Sequence, residues 1–177
     1  MPTLHAVPTG ALDASQLCAF RTLLDAAFEG DFTDDDWAST VGGVHVWIGG
    51  SGEVIAHGAL VERQLVCSGH TLRVGYVEAV ATAADHRRQG HGTAIMKRIG
   101  ELICERYALG ALSTGSHPFY EMLGWQRWRG PTFVDGLNGR ERTPGDDGGV
   151  MILRTPRSPA LDLDGDIVCD WRAGDVW

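Results

Sequence analysis

Residues 75–92 are Gly75-Tyr-Val-Glu-Ala-Val-Ala-Thr-Ala-Ala-Asp-His-Arg-Arg-Gln-Gly-His-Gly92. The first half is apolar and rich in Val, which is typical of a buried strand. The basic segment Arg87–Gly92 follows, and a helical pattern begins directly after it. In this order of elements, a strand leads through a glycine-containing turn into a helix. The backbone N–H groups of the turn and the positive end of the helix then point to the same place. Such an arrangement favours the binding of a pyrophosphate group.

Two other phosphate-binding motifs do not fit this turn. A P-loop requires a Lys directly after its last glycine, and Thr93 follows Gly92 here. A dinucleotide fingerprint requires a third glycine where this chain has Ile95. The alternative of a charged loop that merely enters a helix stays open at this point.

Composition limits the classes of protein to consider. The chain has 177 residues, of which 44% are hydrophobic and 21% charged, as expected for one globular domain spanning residues 1–177. The net charge of −8 argues against nucleic-acid binding and is compatible with a cationic ligand. Because we find neither a signal-peptide pattern nor a membrane-spanning apolar run, we expect a cytoplasmic protein without membrane contacts. Its four separated cysteines are expected to be reduced, small core residues.

Charge is distributed unevenly along the chain. No Lys or Arg occurs between Arg21 and Arg63, an interval that contains the acidic segment Gly30–Trp37. The C-terminal residues are also rich in Asp. The chain therefore combines a basic turn suited to a phosphorylated cofactor with acidic segments suited to a cation. A simpler interpretation is also open for Asp34 and Asp35, as solvated acids at a helix start.

Hydrophobic periodicity predicts the remaining elements. Helices are expected at 15–28, 93–107 and 116–123, with Ser15 and Ser116 as caps, and Thr33 is expected to cap a short further helix. Strands are expected at 4–7, 44–48, 54–66, 72–82, 109–113, 125–128, 150–153 and 167–169. Residues 49–52 and 68–70 are expected to form turns, and residues 138–149 a long polar loop.

The spacing Arg87-x-x-Gly90-x-Gly92 and this order of elements resemble the GCN5-related N-acetyltransferase (GNAT) superfamily. The resemblance implies an α+β, single-domain fold with a mixed, mostly antiparallel sheet flanked by helices, in which strands 76–82 and 109–113 splay apart. It also implies acetyl-CoA as co-substrate and no metal. The residues implied to bind acetyl-CoA are Val80, Ala81, Thr82, Arg87, Arg88, Gln89, Gly90, His91, Gly92 and Thr93.

More narrowly, several blocks resemble the aminoglycoside 2′-N-acetyltransferases. They are Gly30–Trp37, Gly75–Glu78, Gly130–Thr132, Arg142–Pro144, Asp146–Gly148 and Cys169–Trp177. The resemblance implies acetyl transfer in a ternary complex to the 2′-amino group of an aminoglycoside, and therefore drug resistance. It is also compatible with a homodimer.

The same resemblance implies site residues with distinct roles. Glu78 fits a base that acts through water, and Tyr120 fits an acid that protonates the departing thiolate. Structural roles are the alternatives for both side chains. The residues implied to contact the aminoglycoside are Asp31, Asp36, Glu78, the backbone of Ser113, Asp146 and the carboxylate of Trp177.

The chemistry requires groups of these kinds. An amine attacks a thioester only when it is neutral, so a bound ammonium must first lose a proton to a base. The tetrahedral oxyanion needs a donor such as the backbone N–H of Val80. Two alternatives remain: a GNAT enzyme acting on another cationic amine (a polyamine, a cell-envelope amino sugar or a protein amine), and a non-catalytic binding module.

Overall fold

The computed structural model describes residues 2–50 and 52–177. The helices are α1 (Ala14–Ala27), α2 (Asp34–Thr40), α3 (His91–Arg106) and α4 (His117–Glu121). The strands are β1 (Thr3–Pro8), β2 (Val44–Gly50), β3 (Glu53–Cys67), β4 (His70–Thr82), β5 (Leu109–Ser113), β6 (Gln126–Arg127), β7 (Thr132–Gly136), β8 (Gly139–Arg142), β9 (Val150–Arg154) and β10 (Ile167–Asp170). Short 3-10 turns lie at Thr9–Ala11, Ala84–His86 and Pro144–Asp146.

Backbone contacts group the chain into two compact units. The first contains the described residues up to 61 together with 77–99, and the second contains 62–76 and 100–177. β3, β4 and α3 each have residues in both units. A single domain spanning residues 1–177 stays a prediction.

In the first unit, β1, β2 and β3 pair antiparallel in sequence order. The apolar face of α1 supplies Phe20 and Leu24, both fully buried. Leu23, Leu24 and Phe32 form a core cluster with Ala81 of β4, against which Trp37 and Ala79 pack. Burial of these apolar side chains thus holds the acidic segment Gly30–Trp37 against the end of β4.

The first two turns of α3 complete this unit. Ile95, Met96 and Ile99 are buried, which confirms the apolar stripe predicted from the sequence. Gly58 of β3 permits the close approach of the helix. A Cβ at position 58 would lie 2.9 Å from Ile95 Cγ2 and 3.0 Å from Ile99 Cδ1.

In the second unit the strand order is β6-β9-β5-β4-β3-β10-β7-β8. β4 pairs with β5 in parallel, from Val74 opposite Leu109 to Tyr76 opposite Ala111. β10 also pairs in parallel with β7 but antiparallel with β3. The β5–β9, β6–β9 and β7–β8 ladders are antiparallel. The prediction of a mixed, mostly antiparallel sheet is confirmed.

Two predicted helix caps are wrong. Asp13, rather than Ser15, caps α1, because its side chain accepts the Gln16 N–H at 2.8 Å while the Gln16 side chain accepts the Asp13 N–H. This reciprocal pair satisfies two backbone donors that Ser15 could not reach together. Ser116 precedes α4 but makes no side-chain capping bond, and that helix is only five residues long. Thr33 caps α2 as predicted.

The prediction of a polar loop over 138–149 is also wrong. β8 lies there, pairs with β7, and is followed by a 3-10 turn. All four residues of β8 are exposed, so this strand has no buried face and no hydrophobic alternation to reveal it. Similarly, β2 continues through Gly50 opposite Glu53 rather than ending at the predicted turn. Ser51 of that turn lies outside the described residues.

The cysteines divide into two classes. Cys67 and Cys169 are buried, whereas Cys18 and Cys104 are exposed, so the prediction of four core thiols is half wrong. The exposed pair lies on the solvent-facing sides of α1 and α3. Burial raises the pKa of both Cys67 and Cys169 to about 11. Within the described residues, no helix combines the length and hydropathy that crossing a membrane requires.

Candidate functional site

β4 has an irregular backbone at the position of the predicted catalytic carboxylate. Ala79 has φ 50, a left-handed conformation inside a strand, and it lies between Glu78 and Val80. All three residues are half-buried. The Ala79 carbonyl oxygen accepts a hydrogen bond from the ring of His57, whose Nδ1 lies 3.0 Å away. A non-glycine residue in this conformation is uncommon and indicates a functional constraint on the backbone.

The glycine turn follows β4 and leads into α3. Arg88 and Gly90 both have positive φ, 59° and 86°, so the chain reverses sharply here, and glycine meets that need without strain. The Arg87 Nε donates to the Thr82 carbonyl at 3.3 Å, which ties the turn to the strand end. α3 begins at His91, and its first-turn N–H groups have no acceptor within the helix itself. The turn therefore has the backbone conformation expected for binding an anion.

The acidic segment has a capping role that the sequence did not reveal. Asp36 Oδ2 accepts bonds from the backbone N–H and the hydroxyl of Thr33, each at 2.8 Å. Asp34 pairs with Arg21 at 2.9 Å and is 97% exposed, in line with its interpretation as a solvated acid. Asp31 is exposed, and its N–H donates to the Phe28 carbonyl.

In the second unit, the end of β5 lies beside the late acidic turn. The Thr114 N–H, one residue after Ser113, donates to the Gly149 carbonyl at 3.0 Å. A Cβ at Gly149 would lie 3.2 Å from the Asp146 carbonyl oxygen and 3.3 Å from Ser113 Oγ. A glycine at 149 therefore lets these two segments approach each other closely.

Asp146 and Asp147 are neighbours with opposite environments. Arg142 binds Asp147 with two parallel bonds of 2.8 and 2.6 Å, and Thr132 adds two more, so the pKa of Asp147 falls well below its ordinary value. By contrast, burial and then the negative charge of Asp175 raise the pKa of Asp146. Asp147 thus supports the turn, while Asp146 belongs to an acidic pair that a cation would stabilise.

The C-terminal residues are held against this turn. Trp177 is buried, its indole Nε1 donates to Thr143 Oγ1 at 2.9 Å, and its N–H donates to Asp175 Oδ1 at 3.1 Å. Buried Arg63 donates to the Val176 carbonyl at 2.8 Å. These bonds bring Asp175 and Trp177 to the acidic turn that carries Asp146.

Tyr120 is a buried aromatic residue of α4. Its ring packs edge-on against Phe119 and Trp125. Burial raises the pKa of its phenol to about 12, so the hydroxyl keeps its proton throughout the neutral range.

The structure distributes the predicted site residues between the two units. The first unit contains the ten residues predicted for acetyl-CoA together with Asp31, Asp36 and Glu78. The second unit contains Tyr120, Ser113, Asp146 and Trp177, of which the last three share one neighbourhood. The sequence did not single out His57, Arg63 or Asp175. Their partners are distant in sequence, and no local motif marks them.

Comparison with known proteins identifies the class. Residues 11–128 match the acetyltransferase (GNAT) domain family. The fold is similar to the GNAT family N-acetyltransferase YhbS of Escherichia coli in complex with CoA, with a TM-score of 0.68 at 15% identity over 95% of this chain and 89% of that one. A probable N-acyltransferase of unknown function from Enterococcus faecalis V583 aligns over 72% of this chain but only 33% of its own, with a TM-score of 0.60 at 17% identity. The chain belongs to the GNAT acetyltransferases.

A closer relationship is found in the sequence. The chain is 43% identical over 179 residues to an aminoglycoside 2′-N-acetyltransferase of Mycolicibacterium fortuitum, covering 99% of this chain and 92% of that enzyme. The resemblance to the aminoglycoside 2′-N-acetyltransferases, predicted from blocks that include the acidic segment and the C-terminal residues, is thereby confirmed.

Proposed function

We propose that this protein transfers the acetyl group of acetyl-CoA to the 2′-amino group of aminoglycoside antibiotics, and so confers resistance to them. The observation that carries this function is the 43% identity over 99% of the chain to an enzyme of that activity. With it we propose one acetyltransferase domain over residues 1–177, a cytoplasmic location and a homodimer, as expected from the sequence.

Acetyl-CoA binds along the end of β4 and across the glycine turn. The left-handed residues Arg88 and Gly90 support this assignment, because they direct the chain into the N-terminus of α3, where N–H groups and the helix dipole attract pyrophosphate. The contacts come from Val80, Ala81, Thr82, Arg87, Arg88, Gln89, Gly90, His91, Gly92 and Thr93.

The aminoglycoside binds to carboxylates. Asp146 is the best supported, because its pKa is raised first by burial and then by the negative charge of Asp175, and a bound ammonium would relieve both effects. Asp31 and Asp36 offer further negative charge from the first unit. The Ser113 backbone and the Trp177 carboxylate complete the proposed contacts. A single exposed ion pair contributes only about 0–1 kcal/mol, so more than one carboxylate is needed to hold a polycation.

The reaction proceeds by direct attack. Glu78, through water, removes one proton from the bound ammonium, and the neutral nitrogen attacks the thioester carbon. The Val80 N–H stabilises the oxyanion. The new C–N bond remains when the C–S bond breaks, and the nitrogen releases its second proton to solvent.

Tyr120 is the acid that we propose for the departing thiolate. Burial raises the pKa of its phenol to about 12, so the hydroxyl carries its proton and can donate it as negative charge develops on the sulfur. Because this pKa lies far above the ordinary value of about 8.5 for a thiol, the phenolate is the stronger base and then regains a proton from solvent readily.

Thiol release from acetyl-CoA with a panel of acceptors tests this function. The panel contains aminoglycosides with a 2′-amino group, matched drugs with a 2′-hydroxyl, spermidine and a lysine peptide. Turnover confined to the 2′-amino drugs is the expected result. Turnover only with spermidine or the peptide would replace the drug by another cationic amine, and binding of acetyl-CoA without any turnover would indicate a binding module.

A further inference from the structure

Two buried histidines form a continuous hydrogen-bonded chain that ends on β4. His45 Nδ1 lies 2.9 Å from His57 Nε2, and His57 Nδ1 lies 3.0 Å from the Ala79 carbonyl oxygen. At the other end, His45 Nε2 lies 3.0 Å from Thr9 Oγ1. Both rings are fully buried, and both pack against Phe20. Four segments of the first unit are thus joined by three bonds.

The direction of every bond follows from the carbonyl at the end. A carbonyl oxygen can only accept, so His57 Nδ1 must carry a proton. Burial lowers the pKa of His57 to about 3 and that of His45 to about 4, so both rings are neutral at pH 7. A neutral His57 with its proton on Nδ1 has an accepting Nε2, which requires His45 to donate from its own Nδ1. The Thr9 hydroxyl has one proton and two acceptors within reach, His45 Nε2 at 3.0 Å and the Gly43 carbonyl oxygen at 3.2 Å. An accepting His45 Nε2 requires that proton to point to the ring, and each bond then polarises the next.

This chain fixes a particular peptide plane. The Ala79–Val80 peptide is trans, so its carbonyl and its N–H point in opposite directions. Holding the Ala79 oxygen against His57 in the core therefore turns the Val80 N–H away from the core. The left-handed φ of Ala79 is a conformation that costs energy unless its surroundings enforce it, and the His57 bond does so.

We propose that His57, supported by His45 and Thr9, is a positioning residue of the acetyltransferase: it orients the Ala79–Val80 peptide so that the Val80 N–H faces the thioester oxygen. The inference rests on the proposed function, because Val80 is its proposed oxyanion donor. His57 touches neither substrate. It acts through the backbone, and its bond to the Ala79 carbonyl also strengthens the opposite N–H as a donor.

The tautomers can be measured without any assay of activity. Nitrogen-15 NMR of the imidazole rings in the whole protein should show His45 and His57 both protonated on Nδ1 and neutral at pH 7. A proton on Nε2 of His57, with Nδ1 bare, would remove the donor to Ala79 and overturn the inference.

Kinetics of three variants test the catalytic consequence. His57→Leu removes the donor at similar volume, whereas His57→Asn keeps an N–H donor at the place of Nδ1. We expect His57→Leu to lower kcat by about 10- to 100-fold, somewhat less than full loss of an oxyanion donor, with KM for both substrates changed less than about threefold. His57→Asn should recover most of kcat. Val46→Ala, which truncates a buried neighbour of His45, serves as the stability control and should keep kcat.

The outcomes separate this inference from the proposed function. Wild-type protein without acetyl transfer to any drug would contradict the function itself. Two results would overturn the positioning role of His57 when the wild type is active. One is a His57→Leu variant as active as wild type, and the other is a His57→Asn variant as slow as His57→Leu. If His57→Leu does not fold, the test is the kcat of His57→Asn compared with that of Val46→Ala. A kcat of His57→Asn more than about tenfold below that of Val46→Ala would overturn the positioning role of His57.

Discussion

At the scale of single residues, the neighbours Asp146 and Asp147 have different roles because their surroundings differ. Asp147 is held by the fork of Arg142 and by Thr132, so its charge is already compensated. Asp146 is partly withdrawn from water and is also repelled by Asp175, and its pKa rises. A cationic ligand gains more from an uncompensated carboxylate than from a compensated one.

Replacing Asp146 tests this difference. We expect Asp146→Asn to raise the KM for a 2′-amino aminoglycoside by about tenfold, because one close charge-assisted hydrogen bond is lost, and to leave the KM for acetyl-CoA unchanged. Steady-state kinetics with each substrate varied in turn provides the measurement.

Asp135→Asn is the matched control for that change. Asp135 is a half-exposed acid bound to Arg140, so this variant removes the same formal charge from the β7–β8 hairpin. The drug KM should stay near the wild-type value. Equal effects of both variants on the drug KM would mean that only net charge matters.

The buried histidines make the fold sensitive to acid. Both have a pKa lowered by burial, to about 4 for His45 and about 3 for His57, from an ordinary value of 6.5. Below pH 6.5 the unfolded chain binds protons that the folded chain does not. The free energy of unfolding should therefore fall as pH decreases from 6.5 towards 4, by up to about 1.4 kcal/mol per pH unit for each ring. Above pH 6.5 this contribution is constant.

Urea unfolding at several pH values checks the sign. His57→Asn replaces a titrating ring by an amide that does not titrate, so the variant should show a shallower pH slope than wild type between pH 6 and pH 5. His70→Gln, at the exposed first residue of β4, is the control and should keep the wild-type slope. An unchanged slope in His57→Asn would refute the assignment of the acid sensitivity to this ring.

At the scale of elements, the packing of α3 on β3 depends on the missing side chain of Gly58. A methyl group there would approach Ile95 Cγ2 and Ile99 Cδ1 to about 3 Å. We expect Gly58→Ala to lower the free energy of unfolding by about 1–3 kcal/mol, as overpacking of a filled core does. Urea unfolding measures the loss.

Gly10→Ala is the control for this substitution. An added Cβ at position 10 meets no atom within 4 Å, so stability should change little. Adding Ile99→Val to Gly58→Ala removes one of the two clashing methyl groups and should restore part of the loss. A Gly58→Ala protein as stable as wild type would show that the helix can shift without cost.

The elements that the sequence predicted well are those with buried apolar residues. α3 has them at helical spacing and β5 is a short run buried continuously up to Leu112, and both were located within two residues of their bounds. β7 buries only Thr132 and Val134, too few residues for a clear alternation. β8 is fully exposed and pairs with β7 through polar contacts such as Arg140 with Asp135. Polar pairing leaves no periodic pattern.

The residues of the candidate site likewise divide into those that a local sequence pattern marks and those that it does not. The acetyl-CoA segment is continuous in sequence, so a motif could mark it. The bond between Arg63 and Asp170 joins residues 107 positions apart, and the bond between His57 and Ala79 joins residues 22 apart. No local sequence pattern predicts such pairs, because the two residues come together only when the sheet forms.

At the scale of the whole molecule, the excess of 23 acidic over 15 basic residues favours the approach of a polycation. We expect the KM for an aminoglycoside to rise several-fold as salt increases, since the screening length falls from about 10 Å at 0.1 M to about 3 Å at 1 M. Measurements of KM across a salt series provide the check. Sucrose at matched osmolality is the control and should leave the KM unchanged. A KM that does not depend on salt would argue against electrostatic attraction of the drug.

The arrangement of the four thiols has a practical consequence for any chromogenic assay of coenzyme A release. Aromatic disulfide reagents react with accessible thiolates, so Cys18 and Cys104 will consume reagent while the protein is native. Cys67 and Cys169, shielded and with pKa values of about 11, will react only when the chain opens. A blank with enzyme alone should therefore show two reacted thiols per protein molecule promptly, and four in denaturant. The ratio of the two amplitudes reports the folded fraction of each preparation before any substrate is added.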